Sequence, residues 1–175
     1  MQAERALLER TNGEVTEVVG IHCAYNVVCN EEALVGVEDI AECWPDCYLA
    51  TRHSLIQDSI PSARVGAYLQ RLTIGSRFVE TVEAFGIHQD RTQLTRLFLV
   101  VSRVLTGTAE ALKGIEPREI RQSIGGGAAA VRRGSARGLR ADLTHGYRKL
   151  RLHYWKDGEQ IALSNVVEDN DSTIY

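Results

Sequence analysis

The sequence lacks any apolar run long enough to cross a lipid bilayer. Its longest clean apolar run is Leu97–Val101, whereas a membrane-spanning helix needs roughly 20 residues. It also lacks a charged-then-apolar segment at its N-terminus, so no secretory signal is visible. These absences predict a protein of the cytosol or nucleus, or of the inner surface of a membrane or particle, in which the four cysteines are thiols.

The cysteines lack the spacing of a zinc site. Zinc ligands usually come as two close pairs, and Cys43 and Cys47 have that spacing while Cys23 and Cys29 do not. On a straight strand Cys23 and Cys29 would lie about 20 Å apart, at ~3.3 Å per residue, which one tetrahedral ion cannot bridge. We therefore predict core thiols and no metal site.

The chain also lacks the motifs of common catalytic and cofactor sites. Its five histidines show no metal-binding spacing, and there is no nucleophile elbow. The glycine run 125–127 follows a polar stretch and precedes no Lys-Ser or Lys-Thr pair, unlike nucleotide-binding loops. We expect no catalytic residue and no cofactor. A small enzyme with an unrecognised site stays open as an alternative, which a deep pocket lined by His22, His53 or His145 together with a carboxylate would favour.

Apolar and polar residues alternate as in β-strands in two parts of the chain. Glu14–Asn30 is the longest such stretch and is predicted to be a core strand. Two further strands, Tyr147–Trp155 and Glu159–Val167, are joined by the hairpin turn Lys156-Asp157-Gly158. In the first of them, one face carries Leu150, Leu152 and Tyr154, and the other carries Lys149, Arg151 and His153.

Helical patterns fill the region between these strands. We predict helices over 37–48 with a break at Pro45, from Pro61 to Gly75, over 77–85 with Ser76 as its cap, and over 91–113 with Asp90 and Gln93 as its capping box, whereas 49–57 is predicted to be loop. The glycine-rich basic stretch 124–140 is predicted to be a mobile loop.

The fold class is therefore α+β. We expect a single domain over 14–167, in which an antiparallel sheet of the N-terminal strand plus the C-terminal hairpin packs with several helices. A short N-terminal arm, 1–13, precedes it, and an acidic, frayed tail, 168–175, follows it.

The net charge of −3 conceals an uneven distribution. Residues 1–60 carry a net charge of −8, and residues 132–156 carry +7. Such a layout suits head-to-tail self-association or docking on an anionic surface, on nucleic acid or on lipid headgroups. The predicted anion-contacting residues are Arg132, Arg133, Arg137, Arg140, Arg148, Lys149 and Arg151. The predicted acidic face for self-association is Glu31, Glu32, Glu38 and Asp39.

The order of elements from Glu14 to Leu72 resembles that of the rhabdovirus matrix proteins, in particular the smaller ones of plant-infecting members. The matching residues are Cys29-Asn30 at the end of the strand, Glu38-Asp39, Trp44-Pro45-Asp46-Cys47-Tyr48, and Ala67-Tyr68-Leu69 with Leu72. The chain departs from the animal-virus proteins in lacking a Pro-Pro-x-Tyr motif and a lysine-rich N-terminal arm.

The resemblance implies a non-enzymatic structural protein located in the virion at the inner face of the envelope, and in the host cytoplasm and at peripheral host membranes. Its partners would be further copies of itself, the viral nucleoprotein–RNA core, the glycoprotein tail and an anionic membrane surface. Such a protein self-associates, condenses the core and links it to the membrane during assembly and budding. An alternative from the charge pattern alone is a nucleic-acid-binding regulator, such as a viral RNA-silencing suppressor, that acts through Arg132–Arg151.

Overall fold

The computed structural model describes residues 40–44, 46–113, 115, 117–124, 127–143 and 149–175, which belong to one compact unit, Val37–Tyr175. The predicted strand Glu14–Asn30, with Cys23 and Cys29, and the predicted arm 1–13 lie outside the described residues. The predicted single domain over 14–167 therefore stays a prediction.

Six α-helices and eight strands are formed by the described residues. The helices are α1 (Ile40–Cys43), α2 (Cys47–Gln57), α3 (Ser62–Leu69), α4 (Ser76–Ala84), α5 (Arg91–Thr106) and α6 (Ala109–Leu112), with a 3₁₀ turn at Ile87–Gln89. The strands are β1 (Leu72–Ile74), β2 (Arg118–Glu119), β3 (Arg121–Ile124), β4 (Gly127–Ala130), β5 (Arg132–Arg133), β6 (Ala136–Asp142), β7 (Leu150–Asp157) and β8 (Gln160–Glu168). None of these helices is long and apolar enough to cross a membrane.

The main sheet is mixed, with the order β1-β8-β7-β6-β2, and β5 pairs with β6 at the same edge as β2. The β1 strand runs parallel to β8, and the remaining pairs are antiparallel. The α+β class is confirmed, but the expectation of a purely antiparallel sheet is wrong, because β1 and β8 are joined by a long connection that lets them run parallel. The β3–β4 hairpin forms a separate two-stranded sheet.

The C-terminal hairpin is confirmed, with the strands β7 and β8 paired from Asp157 and Gln160 outward. Its two-residue turn is Gly158-Glu159, and Gly158 has the positive φ of 56° that this turn requires. Leu150, Leu152 and Tyr154 are buried on the face of the sheet that we call the core face. Together with the apolar stripe of α5 they form the hydrophobic core.

The helix predicted at 91–113 is confirmed over α5. The structure divides the predicted stretch into two helices, α5 and α6. The Asp90 carboxylate accepts the N–H groups of Thr92 at 2.9 Å and Gln93 at 3.2 Å, as a capping residue does. The Gln93 side chain binds the Asp90 carboxylate at 2.9 Å. Gly107 ends α5 in the left-handed conformation, with a φ of 63°, and α6 follows.

Three predictions are wrong in the helical half. The stretch 49–57, predicted to be loop, lies within α2, where the Asp46 carboxylate caps the helix by accepting the N–H groups of Tyr48 and Leu49, each at 3.0 Å. The helix predicted from Pro61 to Gly75 ends at Leu69, and Leu72 belongs to β1. The helix predicted at 77–85 is α4, and its N-cap is Gly75, not Ser76.

Two segments predicted to be irregular have a defined structure, one in strands and one as a segment bound to the main sheet. The predicted mobile loop 124–140 contains β4, β5 and most of β6, so that expectation is wrong where the strands form. The predicted frayed tail is wrong as well. Residues 171–175, which we call the strap, lie over the second face of the sheet, where Thr173 and Tyr175 accept hydrogen bonds from β7 and β8. We call this second face the outer face.

Candidate anion-binding site

Three cationic residues lie opposite one another across three neighbouring strands. Arg132 on β5 pairs with Arg137 on β6, and Arg137 pairs with Lys156 on β7. Because side chains directly opposite in adjacent antiparallel strands point to the same side, this cationic row lies on one face of the sheet. Like charges in such positions destabilise a sheet, so the row has a structural cost unless an anion binds it.

Little negative charge within the described residues offsets this row. The Glu119 carboxylate lies 3.9 Å from the Arg132 guanidinium, and the two side chains are 32% and 54% exposed. A surface ion pair of that length contributes little. The carboxylate of Asp157, next to Lys156, accepts a hydrogen bond from Ser135 at 2.7 Å. Arg132 and Arg137 are exposed, so their guanidinium groups are available to phosphate groups from outside.

Two of the seven predicted anion-contacting residues therefore form a cluster, and Lys156, which was not among the seven, completes it. The β6–β7 register places Lys156 opposite Arg137, and the β5–β6 hairpin places Arg132 opposite Arg137. A two-residue Gly134-Ser135 turn between Arg133 and Ala136 is the sequence signal for that hairpin, and Gly134 has a φ of 63°.

The other predicted basic residues lie elsewhere. Arg133 alternates to the outer face and lines an open cleft of about 260 Å³ with Trp155. Arg140 lies on the outer face and is half-buried, and Lys149 is exposed just before β7. Arg148 lies outside the described residues, as do all four residues of the predicted acidic face, Glu31, Glu32, Glu38 and Asp39.

Arg151 has its charge satisfied inside the protein. Its guanidinium pairs with the Asp142 carboxylate at 3.1 Å and with the Asp169 carboxylate, and it donates to the main-chain oxygen of Asp169 at 2.7 Å. Only 15% of its side chain is exposed. Arg151 therefore anchors the start of the C-terminal segment and does not serve as a contact for an anionic partner.

His153 is buried on the outer face of the sheet. Its Nδ1 donates to the main-chain oxygen of Thr173 at 2.8 Å, while its Nε2 has no hydrogen-bond partner among the described residues. Burial lowers the pKa of His153, and the nearby Arg140 and Arg151 lower it further, whereas the Thr173 hydrogen bond and Asp171 act in the opposite direction. The imidazole is therefore held in its neutral form.

A second cavity, of about 300 Å³, contains a histidine and a carboxylate, His53 and Asp58. The Asp58 carboxylate lies 3.8 Å from the guanidinium of Arg103. Ser54, the hydroxyl beside His53, lies 3.5 Å from the Ser102 hydroxyl. A catalytic triad needs the carboxylate to orient the imidazole and the imidazole to contact the nucleophile, and neither contact is formed within the described part of the chain. No group of His, Cys, Asp and Glu in that part could hold a metal ion.

The fold and this site define an α+β protein with a cationic row at one edge of a mixed sheet. No family model, curated protein or solved structure matches the chain.

Proposed function

We propose that the protein is a non-enzymatic viral matrix protein, which binds polyanionic surfaces through its cationic row and self-associates. In this role it condenses a viral nucleoprotein–RNA core and links it to the membrane and the glycoprotein tail during assembly and budding. The observation that carries the proposal is that Arg132, Arg137 and Lys156 lie opposite one another, and within the described residues only the weak Glu119–Arg132 ion pair is found for them. The resemblance of 14–72 to rhabdovirus matrix proteins supplies the assembly role.

The energetics of the row require many copies acting together. Each basic residue near an anionic membrane contributes roughly 1 kcal/mol, so one row holds a single molecule only weakly. When copies are linked, each later contact forms at a high effective concentration and the total affinity rises steeply. A row of three cations therefore suits a multimer on a repeating surface of phosphates better than a monomer on one ligand.

Co-sedimentation with liposomes tests the contact. We expect the protein to pellet with vesicles that contain anionic phosphatidylserine and to stay in the supernatant with neutral phosphatidylcholine vesicles. Replacing the row, in the variant Arg132→Gln/Arg137→Gln/Lys156→Gln, removes three positive charges and should abolish pelleting.

The matched control is Arg91→Gln/Lys113→Gln/Arg121→Gln, which removes the same charge from exposed positions outside the row and outside the seven predicted anion-contacting residues. This control should pellet nearly as well as the wild type. Equal loss in both variants would show that net charge alone determines binding, and the cationic row would no longer be the site. Tight, salt-sensitive binding to free RNA with no liposome pelleting would favour the nucleic-acid-binding regulator instead.

Self-association driven by charge has its own test. The acidic residues Glu31, Glu32, Glu38 and Asp39 and the basic row would supply complementary ends. Sedimentation velocity across a salt series should show multimers at low ionic strength that dissociate as salt screens the contacts. A single monomeric species at low salt would contradict charge-driven assembly.

A further inference from the structure

The strap is bound through its main chain by side chains of β7 and β8. The main-chain oxygen of Thr173 accepts from His153 Nδ1 at 2.8 Å and from Asn165 Nδ2 at 3.0 Å. The main-chain oxygen of Tyr175 accepts from Trp155 Nε1 at 2.6 Å. The Tyr175 N–H donates to the Ser164 hydroxyl at 2.8 Å. Alternate residues of an extended segment are thus bound in the way that a peptide-binding groove binds its ligand.

An irregularity in β8 builds this groove. His153 pairs with Asn165 and Tyr154 pairs with Leu163, so Ser164 is an extra residue without a partner on β7. In a regular strand Ser164 and Asn165 would point to opposite faces. The bulge lets both side chains contact the strap, and bulges commonly redirect a side chain at a functional site.

One apolar side chain of the strap also lies in the groove. A Cβ added at Gly138 would lie 3.3 Å from the Val131 oxygen, 3.4 Å from Ile174 Cδ1 and 3.5 Å from the Trp155 ring. The Ile174 side chain therefore lies next to Gly138. On the far side, the Arg77 guanidinium stacks over the Tyr175 ring, 5.4 Å from its centroid.

The polar side chains of the groove are buried beneath the strap. His153 is 0% exposed, Asn165 is 1% exposed and Ser164 is 2% exposed. Their hydrogen-bonding groups point at peptide main-chain atoms, which every extended segment carries. A strap from another copy of the chain has the same main chain and the same isoleucine, so it fits the groove as well as the strap of the same molecule.

We propose that this groove exchanges straps between copies, so that the segment 171–175 of one molecule occupies the groove of another. The hinge is the turn at Asp169 and Asn170, which Arg151 anchors by its pair with Asp169. Exchange of an identical element is a low-cost route to homomultimers. This inference deepens the self-association in the proposed function and rests on it, but it uses a surface other than the charged ends.

Two complementary variants of the full chain test the exchange. Ile174→Asp removes the apolar contact of the strap and leaves the groove intact. Ser164→Ala/Asn165→Ala removes hydrogen-bonding groups of the groove and leaves the strap intact. Each variant alone should be monomeric by sedimentation velocity in 1 M salt, whereas an equimolar mixture should form a one-to-one dimer. In the same salt the wild type should form concentration-dependent dimers.

A second experiment measures the binding of a peptide to the groove and does not depend on assembly of the chain. A labelled peptide, Asp-Ser-Thr-Ile-Tyr, should bind the Ile174→Asp chain, whose own strap is released. Binding should weaken by about tenfold or more when Ser164→Ala and Asn165→Ala are added, because two hydrogen-bonding groups are lost. Circular dichroism confirms that each variant is folded.

Peptide binding that is unchanged in the groove variant, or a mixture that stays monomeric in 1 M salt, would overturn the exchange. High salt screens contacts between charged ends but leaves the strap contacts in place. Failure of the exchange with liposome binding intact would therefore remove this inference alone. Loss of liposome binding with exchange intact would remove the proposed membrane role instead.

Discussion

Gly75 lies where β1 passes into α4, against a main-chain atom of a central strand. Its N–H donates to the main-chain oxygen of Leu163 at 2.8 Å. A Cβ at this position would lie 2.5 Å from that same oxygen, whereas real Cβ atoms essentially never come within 3.0 Å of a neighbour. The φ of −71° and ψ of 149° at Gly75 are open to any residue. Gly75→Ala therefore tests the close approach of β1 to β8 and not backbone strain.

The size of the destabilisation depends on which atoms must move to make room for the added Cβ. The Leu163 oxygen belongs to a strand with partners on both sides, so it cannot retreat like the end of a flexible side chain. Overpacking of this kind costs roughly 1–3 kcal/mol, and weakening the buried hydrogen bond adds about 1 kcal/mol. We expect Gly75→Ala to lower the free energy of unfolding by about 2–4 kcal/mol.

Gly66→Ala is the matched control, since it makes the same chemical change inside α3. A Cβ there would meet nothing within 4 Å. Alanine exceeds glycine in helix propensity by up to about 1 kcal/mol, so this variant should be more stable than the wild type. Urea denaturation followed by circular dichroism measures both variants. If Gly75→Ala unfolds within about 0.5 kcal/mol of the wild type, a difference small enough for an ordinary surface substitution, the close β1–β8 approach does not exist as described.

Three further predictions concern α2, the outer face and the cysteines. Asp46→Ala removes the cap of α2 and should cost about 1 kcal/mol in urea denaturation, while Asp46→Asn should cost less. Because the folded pKa of His153 lies below its ordinary value, the unfolded chain binds more protons as the pH falls below about 6.5. Stability should therefore decrease from that pH down to the lowered folded pKa, and His153→Gln should flatten this part of a denaturation series; an unchanged slope would contradict the buried neutral imidazole. Burial raises the pKa of Cys47 to about 12, and Cys43 is also buried, so neither thiol should react with a thiol reagent at pH 8 until urea unfolds the chain.

Sequence periodicity predicted the elements that present an apolar face to the core. The helical pattern at 91–113 and the alternation at Leu150, Leu152 and Tyr154 each describe such a face, and both are confirmed over α5 and β7. It failed at α2, where buried positions include the polar residues Thr51 and Ser54. Thr51 is accommodated because its hydroxyl donates to the main-chain oxygen of Cys47 at 2.6 Å. Tertiary packing, and not an apolar stripe, holds such a helix in place.

The prediction of a loop over 124–140 is wrong where β4, β5 and β6 form, because the composition of this stretch does not reveal its main-chain pairing. Arginine, glycine and alanine suggest a solvated loop, yet main-chain pairing depends little on side-chain type at a sheet edge. The N–H of Ile120 donates to the Gly138 oxygen, and the N–H of Gly138 donates to the Val131 oxygen, each at 2.9 Å. The charge of this region was read correctly, but its division between two faces of the sheet follows from register, which composition does not contain.

The strap shows why the outer face could not be predicted from β7 alone. Alternation placed Arg151 and His153 together on a face opposite the core, and a face with an arginine and a histidine normally contacts water. Both residues instead bind the C-terminal segment, Arg151 through Asp169 and His153 through Thr173. Asp169 and Asp171 follow β8 directly, and the acidic charge that suggested a frayed tail supplies, through Asp169, the ion pair at the hinge. A polar strand face that is followed in sequence by a segment of opposite charge is therefore better interpreted as a covered face than as a solvated one. The exchange experiment shows whether the strap stays on its own molecule or moves to the groove of another.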